Sequence, residues 1–280
     1  MSTLAPENQY VRVGQINTRY WSLGKAGSPI LLIHGIGGFV ENWEQNAAAL
    51  AEKHRVFIPD LVGFGLSDKP NAPYTLPYFA QFISDFMAIK GIARATLVGW
   101  SLGGAIALQF AKQFPDQLDK VVLVGSAGLG KEVNLGFRLM TVPLLGEWLA
   151  LPNRNRTTSF LKECVYDPAI VSSEWVEQKY EMDILPNTQQ SFLTTLRALA
   201  TLFGQRRSVY GPMIESLASI SAPILIIWGR QDRNVPLAHG RVAKEKLPNA
   251  RLHLVDQCGH FPPLECPEEF NNLLLNFLSQ

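Results

Sequence analysis

The chain has 280 residues, 47% of them hydrophobic and 18% charged, with 25 Lys and Arg against 24 Asp and Glu for a formal net charge of +1. That composition excludes a disordered chain and supplies enough apolar material for one large domain, or one domain carrying an insertion. Near-neutrality without a long like-charge run leaves no electrostatic footprint for nucleic acid or an anionic membrane, so the expected partner is a small molecule or a protein.

Cys164, Cys258 and Cys266 are odd in number and lack Cys-x-x-Cys spacing. This argues against a disulfide framework or a zinc site and suits a reducing compartment. The opening MSTLAPENQYVRVG lacks a basic stretch followed by an apolar run, and no segment reaches the roughly 18 uninterrupted apolar residues of a membrane span. The expectation is a cytoplasmic protein without stable membrane insertion, metal or organic cofactor; its oligomeric state is not readable.

Short β-branched runs recur along the chain. YVRVG and TRYWSL come first, then PILLIHG from Pro29, followed by an amphipathic helical segment from Glu41 to Lys53. RVFIPD from Arg55 precedes a helical segment from Leu76 to Ile92, and TLVGW from Thr96 precedes another from Leu102 to Phe114. KVVLVG follows from Lys120, then PILIIWG from Pro223 and RLHLVD from Arg251, these last two trailed by helical segments from Leu237 to Leu247 and from Pro267 to Leu278. The later runs are apolar at nearly every position, as strands covered on both faces must be. Strand and helix in alternation specify an α/β fold with a mostly parallel sheet and right-handed crossovers.

The alternation fails between about 129 and 217, where helical periodicity continues without a convincing strand. So long a connection carries structure of its own. It reads as a helical cap on the carboxyl edge of the sheet, where open α/β sheets hold their ligands, dividing the core into 1–128 and 218–280.

Gly99-Trp100-Ser101-Leu102-Gly103 fits Gly-x-Ser-x-Gly at the junction of an apolar strand and a helix. A short pattern can arise by chance, so its context decides. A sharp turn there would hold Ser101 strained, with Gly99 and Gly103 required because side chains would collide across it. A serine hydroxyl becomes a useful nucleophile only when a base takes its proton and an acid orients that base, standing at later strand ends in the order Ser, acid, His. Asp232 follows PILIIWG and His260 follows RLHLVD, as that order demands. Oxyanion donors would be the backbone N–H of Leu102, at a helix start, and of Ile36, in the glycine turn His34-Gly35-Ile36-Gly37-Gly38.

Other candidates read as structural. His34 adjoins the glycine turn and should hold it by hydrogen bonding; His253 lies inside a strand; His54 and His239 look like surface residues. Asp256 is too near His260, and Asp60 and Asp68 more naturally tie down their Gly-rich loop.

These segments, spread from Ile30 to Pro267, resemble the α/β-hydrolase superfamily, specifically its capped subgroup with His-Gly-x-Gly after the third strand. DLVGFGLSD from Asp60, GWSLGG, GRQDRNVP and GHFPPLECP complete the likeness. The resemblance implies a central eight-stranded sheet, a helical cap, and roles for Ser101, Asp232 and His260 as nucleophile, orienting acid and general base.

The reaction expected first is hydrolysis of a small to medium apolar carboxylic ester through an acyl-enzyme, in a pocket walled by Ile36, Phe39, Trp100, Leu102 and Phe261 and roofed by Leu139 and Trp148. The apolar stretch LGFRLMTVPLLGEWLAL is read equally as ordinary core between cap helices, and less readily as a membrane-docking surface with Arg138 at its edge. The alternative reaction is hydrolysis of a carbon–carbon bond in a vinylogous diketone, of the meta-cleavage-product type. Relatives of that kind usually carry Asn before the nucleophile and Trp after the histidine, where this chain has Trp100 and Phe261. Epoxide hydrolases and haloalkane dehalogenases of the superfamily use Asp in place of Ser101, which disfavours both. A non-catalytic receptor of the same fold is the remaining alternative.

Overall fold

The computed structural model describes residues 6–247 and 250–280. An eight-stranded sheet runs in the order β1 (Gln9–Val13), β2 (Ile16–Leu23), β4 (Arg55–Pro59), β3 (Pro29–Ile33), β5 (Ala95–Trp100), β6 (Leu118–Val124), β9 (Ile224–Gly229) and β10 (Arg251–Val255). β2 pairs antiparallel with both β1 and β4, and the remaining neighbours are parallel.

The two-residue period of a strand sends successive side chains to opposite faces, and here both faces are covered. Leu31, Ile33, Leu97, Leu123 and Ile226 enter one buried cluster with α2 (Leu76–Ile89) and α3 (Leu102–Gln113). Their neighbours Ile30, Leu32, Val98, Val122 and Leu225 enter another, with α1 (Glu44–Ala51) and α12 (Pro267–Leu278). This explains the near-continuous apolar runs of the sequence.

Between β6 and β9 lie α4 (Leu135–Met140), α5 (Leu145–Leu149), α6 (Arg154–Cys164), α7 (Ser173–Asp183) and α8 (Thr188–Leu199), then a small antiparallel pair, β7 (Ala200–Thr201) with β8 (Gly204–Gln205), and α9 (Arg207–Ser216). Two features differ from the sequence reading. Two-residue strands are too short to show alternation, so the β7–β8 pair left no signal. The last helix of the stretch, α9, packs on α3 and on α10 (Ala238–Lys246), and its Met213 enters the core cluster, so this end of the segment belongs to the core layer. Among the described residues, no helix is long and apolar enough to cross a membrane.

Candidate active site

Ser101 sits between β5 and α3 with φ 56° and ψ −113°, a left-handed conformation that costs a non-glycine residue about 1–3 kcal/mol. The glycines around it are dictated by space. A Cβ on Gly99 would stand 2.2 Å from the Gly103 carbonyl oxygen, and one on Gly103 would stand 2.1 Å from that of Ile33. Gly104 lets α3 lie close to Ser126, where a Cβ would meet Oγ at 2.5 Å.

Asp232 and His260 lie in loops just beyond β9 and β10. The Asp232 side chain is fully buried; Oδ1 accepts from Asn234 N at 2.8 Å and Val235 N at 2.9 Å, leaving Oδ2 for His260 Nδ1 at 2.8 Å. That contact leaves His260 Nε2 as the free nitrogen. Ser101 and His260 line the same two cavities. No hydrogen bond joins Oγ to Nε2 among the described residues, a relaxed geometry common to catalytic pairs before substrate tightens them.

The backbone of His260 is fixed on every side. Its N–H donates to the Cys164 carbonyl of α6 at 2.7 Å, and its own carbonyl accepts from Trp100 Nε1 at 2.6 Å. Glu265 in α11 (Pro262–Glu265) accepts from Gly259 N at 2.8 Å and Phe261 N at 2.8 Å, the peptides flanking His260, and from Tyr166 N at 2.7 Å. Glu265 was part of a recognised motif, but only the structure gives it this task.

Ile36 N and Leu102 N, the expected oxyanion donors, belong to residues that line one cavity with Ser101 and His260. The turn carrying Ile36 is held by His34, which is fully buried: Nε2 accepts from Leu61 N at 3.0 Å, so Nδ1 carries the proton and donates to the Gly35 carbonyl at 2.7 Å. Burial, and secondarily the positive charge of Arg19, outweighs the Gly35 bond and lowers the His34 pKa from 6.5 to about 4. Because the folded pKa is depressed below the unfolded one, the neutral-histidine contribution is complete above pH 6.5 and disappears as pH falls toward 4. Between pH 7.5 and 5 the wild type should lose roughly 2 kcal/mol of unfolding free energy to this group. Urea melts of wild type and His34→Gln at both pH values test it: equal pH slopes would refute the assignment.

Asp60 also does more than tie its loop. Its carboxylate accepts from Val40 N and Leu66 N at 2.8 and 2.7 Å and from Arg19 Nε at 2.5 Å, while Arg19 grips Glu41 with its other two nitrogens. Asp68 accepts from Asn17 N at 2.7 Å, tying its loop to the start of β2. Asp256 pairs with Arg230 and His253 with Glu269, both near the surface. His239, expected at the surface, is instead 1% exposed, because α10 lays it against Gly130 and Glu132.

The space around Ser101 falls into two unequal parts. On one side, Asn42 and Lys179 join Trp100, Phe160, Trp175 and Phe261 around a cavity of about 20 Å³. On the other, Val133, Phe137, Leu196 and Leu199 enclose about 50 Å³ with Ile36 and Leu102. Three expected pocket residues do not line either. Phe39 is buried beside Glu41 and Glu44; Leu139 points elsewhere from α4; Trp148 is 57% exposed and stacks on Arg156. The wall from α4 is Phe137, two positions and about half a turn from Leu139. A six-residue helix is too short for its sequence to fix which face turns inward.

The comparisons with known proteins agree with this architecture. A family model for the alpha/beta hydrolase fold matches residues 28–267. An uncharacterized protein of Mycobacterium tuberculosis H37Rv is 32% identical over 283 residues, covering 98% of this chain and 82% of that one. The 2-hydroxy-6-oxo-2,4-heptadienoate hydrolase of Pseudomonas putida F1 is 30% identical over 280 residues, covering 96% and 95%. A mutant of the meta-cleavage product hydrolase from Pseudomonas fluorescens IP01 superposes with a TM-score of 0.84 at 29% identity, covering 98% of both chains. Sheet order, the strained serine turn and these matches together assign the chain to the α/β-hydrolase family.

Proposed function

We propose that the protein is a serine hydrolase that cleaves a carbon–carbon bond in a vinylogous diketone bearing a carboxylate, of the kind named for its Pseudomonas relatives. The observation that carries this reading is the pair of cavities at Ser101: Lys179, which Asp183 holds as an ion pair, and the amides of Asn42 and Asn234 stand among the aromatic side chains of one, and aliphatic and aromatic side chains with Gln205 line the other. A substituted 2-hydroxy-6-oxohexa-2,4-dienoate has the matching polarity, with its carboxylate toward Lys179 and its 6-substituent among Leu196, Leu199 and Val133. The relatives' names support the same choice over an ester.

In this mechanism His260 takes the Ser101 proton as Oγ bonds the C6 carbonyl carbon, and the oxyanion rests on the Ile36 and Leu102 N–H groups. The 2-hydroxyl proton passes to C5 before the attack, giving the 2,6-dioxo-3-enoate; collapse then breaks the C5–C6 bond, and the electron pair leaves delocalised through C3 and C4 onto the C2 ketone as a dienolate that takes up the proton held by His260. Water, deprotonated by His260, then releases the acyl group as a carboxylate. His260 acts here as the neutral imidazole that accepts the Ser101 proton.

Ester hydrolysis is the second reading, favoured by one observation. Trp100 occupies the position before the serine and spends its N–H on the His260 carbonyl while its ring lies 4.2 Å from that of Phe261, so it offers a substrate no polar group. A panel of p-nitrophenyl esters run beside 6-methyl and 6-phenyl dienoates separates the two. The expected kcat/KM is at least a hundredfold higher for the better dienoate, and Lys179→Met should raise its KM about 10- to 100-fold, as loss of a charge-assisted bond implies, without affecting neutral esters. A preference for esters that ignores Lys179 would overturn the proposal in favour of the second reading.

A further inference from the structure

A third cavity, of about 160 Å³, lies within the cap, outside the space around Ser101. Leu149, Leu151, Phe160 and Phe192 supply apolar wall, and two cations, Arg156 and Lys179, face it. Phe160 and Lys179 also line the smaller cavity at Ser101, so the two spaces share these side chains as a wall.

Size and charge define an occupant. A dry cavity of about 150 Å³ is large enough to bind benzene, whereas the 20 and 50 Å³ spaces beside Ser101 each correspond to only one or a few water positions. Lys179 is paired with Asp183, which also faces the cavity. Arg156 has no carboxylate partner among the described residues: its Nη1 donates to the Trp148 and Leu149 carbonyls, and its guanidinium stacks on the Trp148 ring at 4.6 Å. The balance is one unmatched positive charge at the edge of an apolar chamber the size of an aromatic ring. Oriented carbonyl contacts and ring stacking hold that guanidinium in place, which lowers the cost of ordering it around an anion.

We propose that the cap cavity is a second binding site, for an amphipathic monocarboxylate whose ring or short alkyl body packs against Phe160 and Phe192 while its carboxylate meets Arg156. Hydrolysis of an ester or of a carbon–carbon bond by an acyl-enzyme releases such an acid, so the site places one reaction product at the outer face of the Phe160 wall. The assignment depends on the cavity and not on which bond Ser101 cleaves.

Benzoate is the probe, titrated into Ser101→Ala protein by calorimetry, with toluene as the uncharged counterpart. Both ligands should bind. Arg156→Met should weaken benzoate at least tenfold and leave toluene within twofold, while Arg156→Lys should recover most of the benzoate affinity. Leu149→Trp, which fills the chamber, should remove both ligands while the far-ultraviolet circular dichroism stays that of the parent. Benzoate binding that ignores both Arg156→Met and Leu149→Trp would locate the ligand elsewhere and overturn the proposal, as would the absence of benzoate binding at millimolar concentration. Because no turnover is measured, failure here is distinguishable from failure of the proposed reaction.

Discussion

Replacing Ser101 with alanine lowers kcat by about 10⁴-fold or more, the scale on which a triad nucleophile acts, and leaves the melting temperature level or higher. The second half of that expectation is the diagnostic one. Ser101 faces two cavities, and its hydroxyl has no hydrogen-bond partner among the described residues, so its removal breaks no side-chain contact. The left-handed backbone remains, because alanine also carries a Cβ. A residue kept for chemistry at some expense of stability behaves in this way. A fluorophosphonate probe should label the wild type at Ser101 and leave the variant untouched. Alanine protein retaining activity within tenfold of wild type, or unlabelled wild type that is demonstrably folded, would end the serine-nucleophile mechanism.

Replacing Arg19 with methionine destabilises the fold by about 3–5 kcal/mol, the cost of stripping one partner from a buried ion pair. Arg19 is 1% exposed and Asp60 is wholly buried; without the guanidinium, Asp60 keeps only its two backbone donors. Burial already drives the Asp60 pKa upward, opposed mainly by Arg19. In the variant the carboxyl therefore takes a proton more readily, and part of the lost stability returns as pH falls. Urea denaturation of Arg19→Met between pH 5 and 8 tests both statements. A loss below 1 kcal/mol, or one that grows toward acid relative to wild type, contradicts them. Activity should fall as well, since the Asp60 loop and the Ile36 turn share Val40, Leu61 and His34.

What could be read from the sequence depended on how local each constraint is. The strands were legible because covering both faces of the sheet makes Ile30 to Ile33 or Ile224 to Trp228 uniformly apolar. Ser101, Asp232 and His260 were legible as strand-end residues in the order their chemistry requires. Arg19 was not, since nothing in TRYWSL marks its charge as inward-facing, and its partners Glu41 and Asp60 lie 22 and 41 positions away. The residues that line the space around Ser101 were the least accessible. Lys179 lies on a helix of mixed polarity whose inward face is chosen by its packing on α6 and α8, and Asn42 belongs to a short 3₁₀ turn with no periodicity to read. His239 was misplaced because a polar residue near a helix start looks solvent-facing until the neighbouring chain at Gly130 is known.

The bonds around His260 bear on how a substrate gets in. The C-terminal end of α6 is tied to the loop that carries the base through the Cys164 carbonyl, and to Glu265, which holds that loop, through the Tyr166 N–H. Raising the roof at that end would drag the imidazole away from Asp232, so the machine would be dismantled each time its door opened. The opposite rim, where Leu149 and Leu151 line one space with Phe192, carries no such linkage to His260 among the described residues. Parting that rim would leave the proton-transfer geometry assembled.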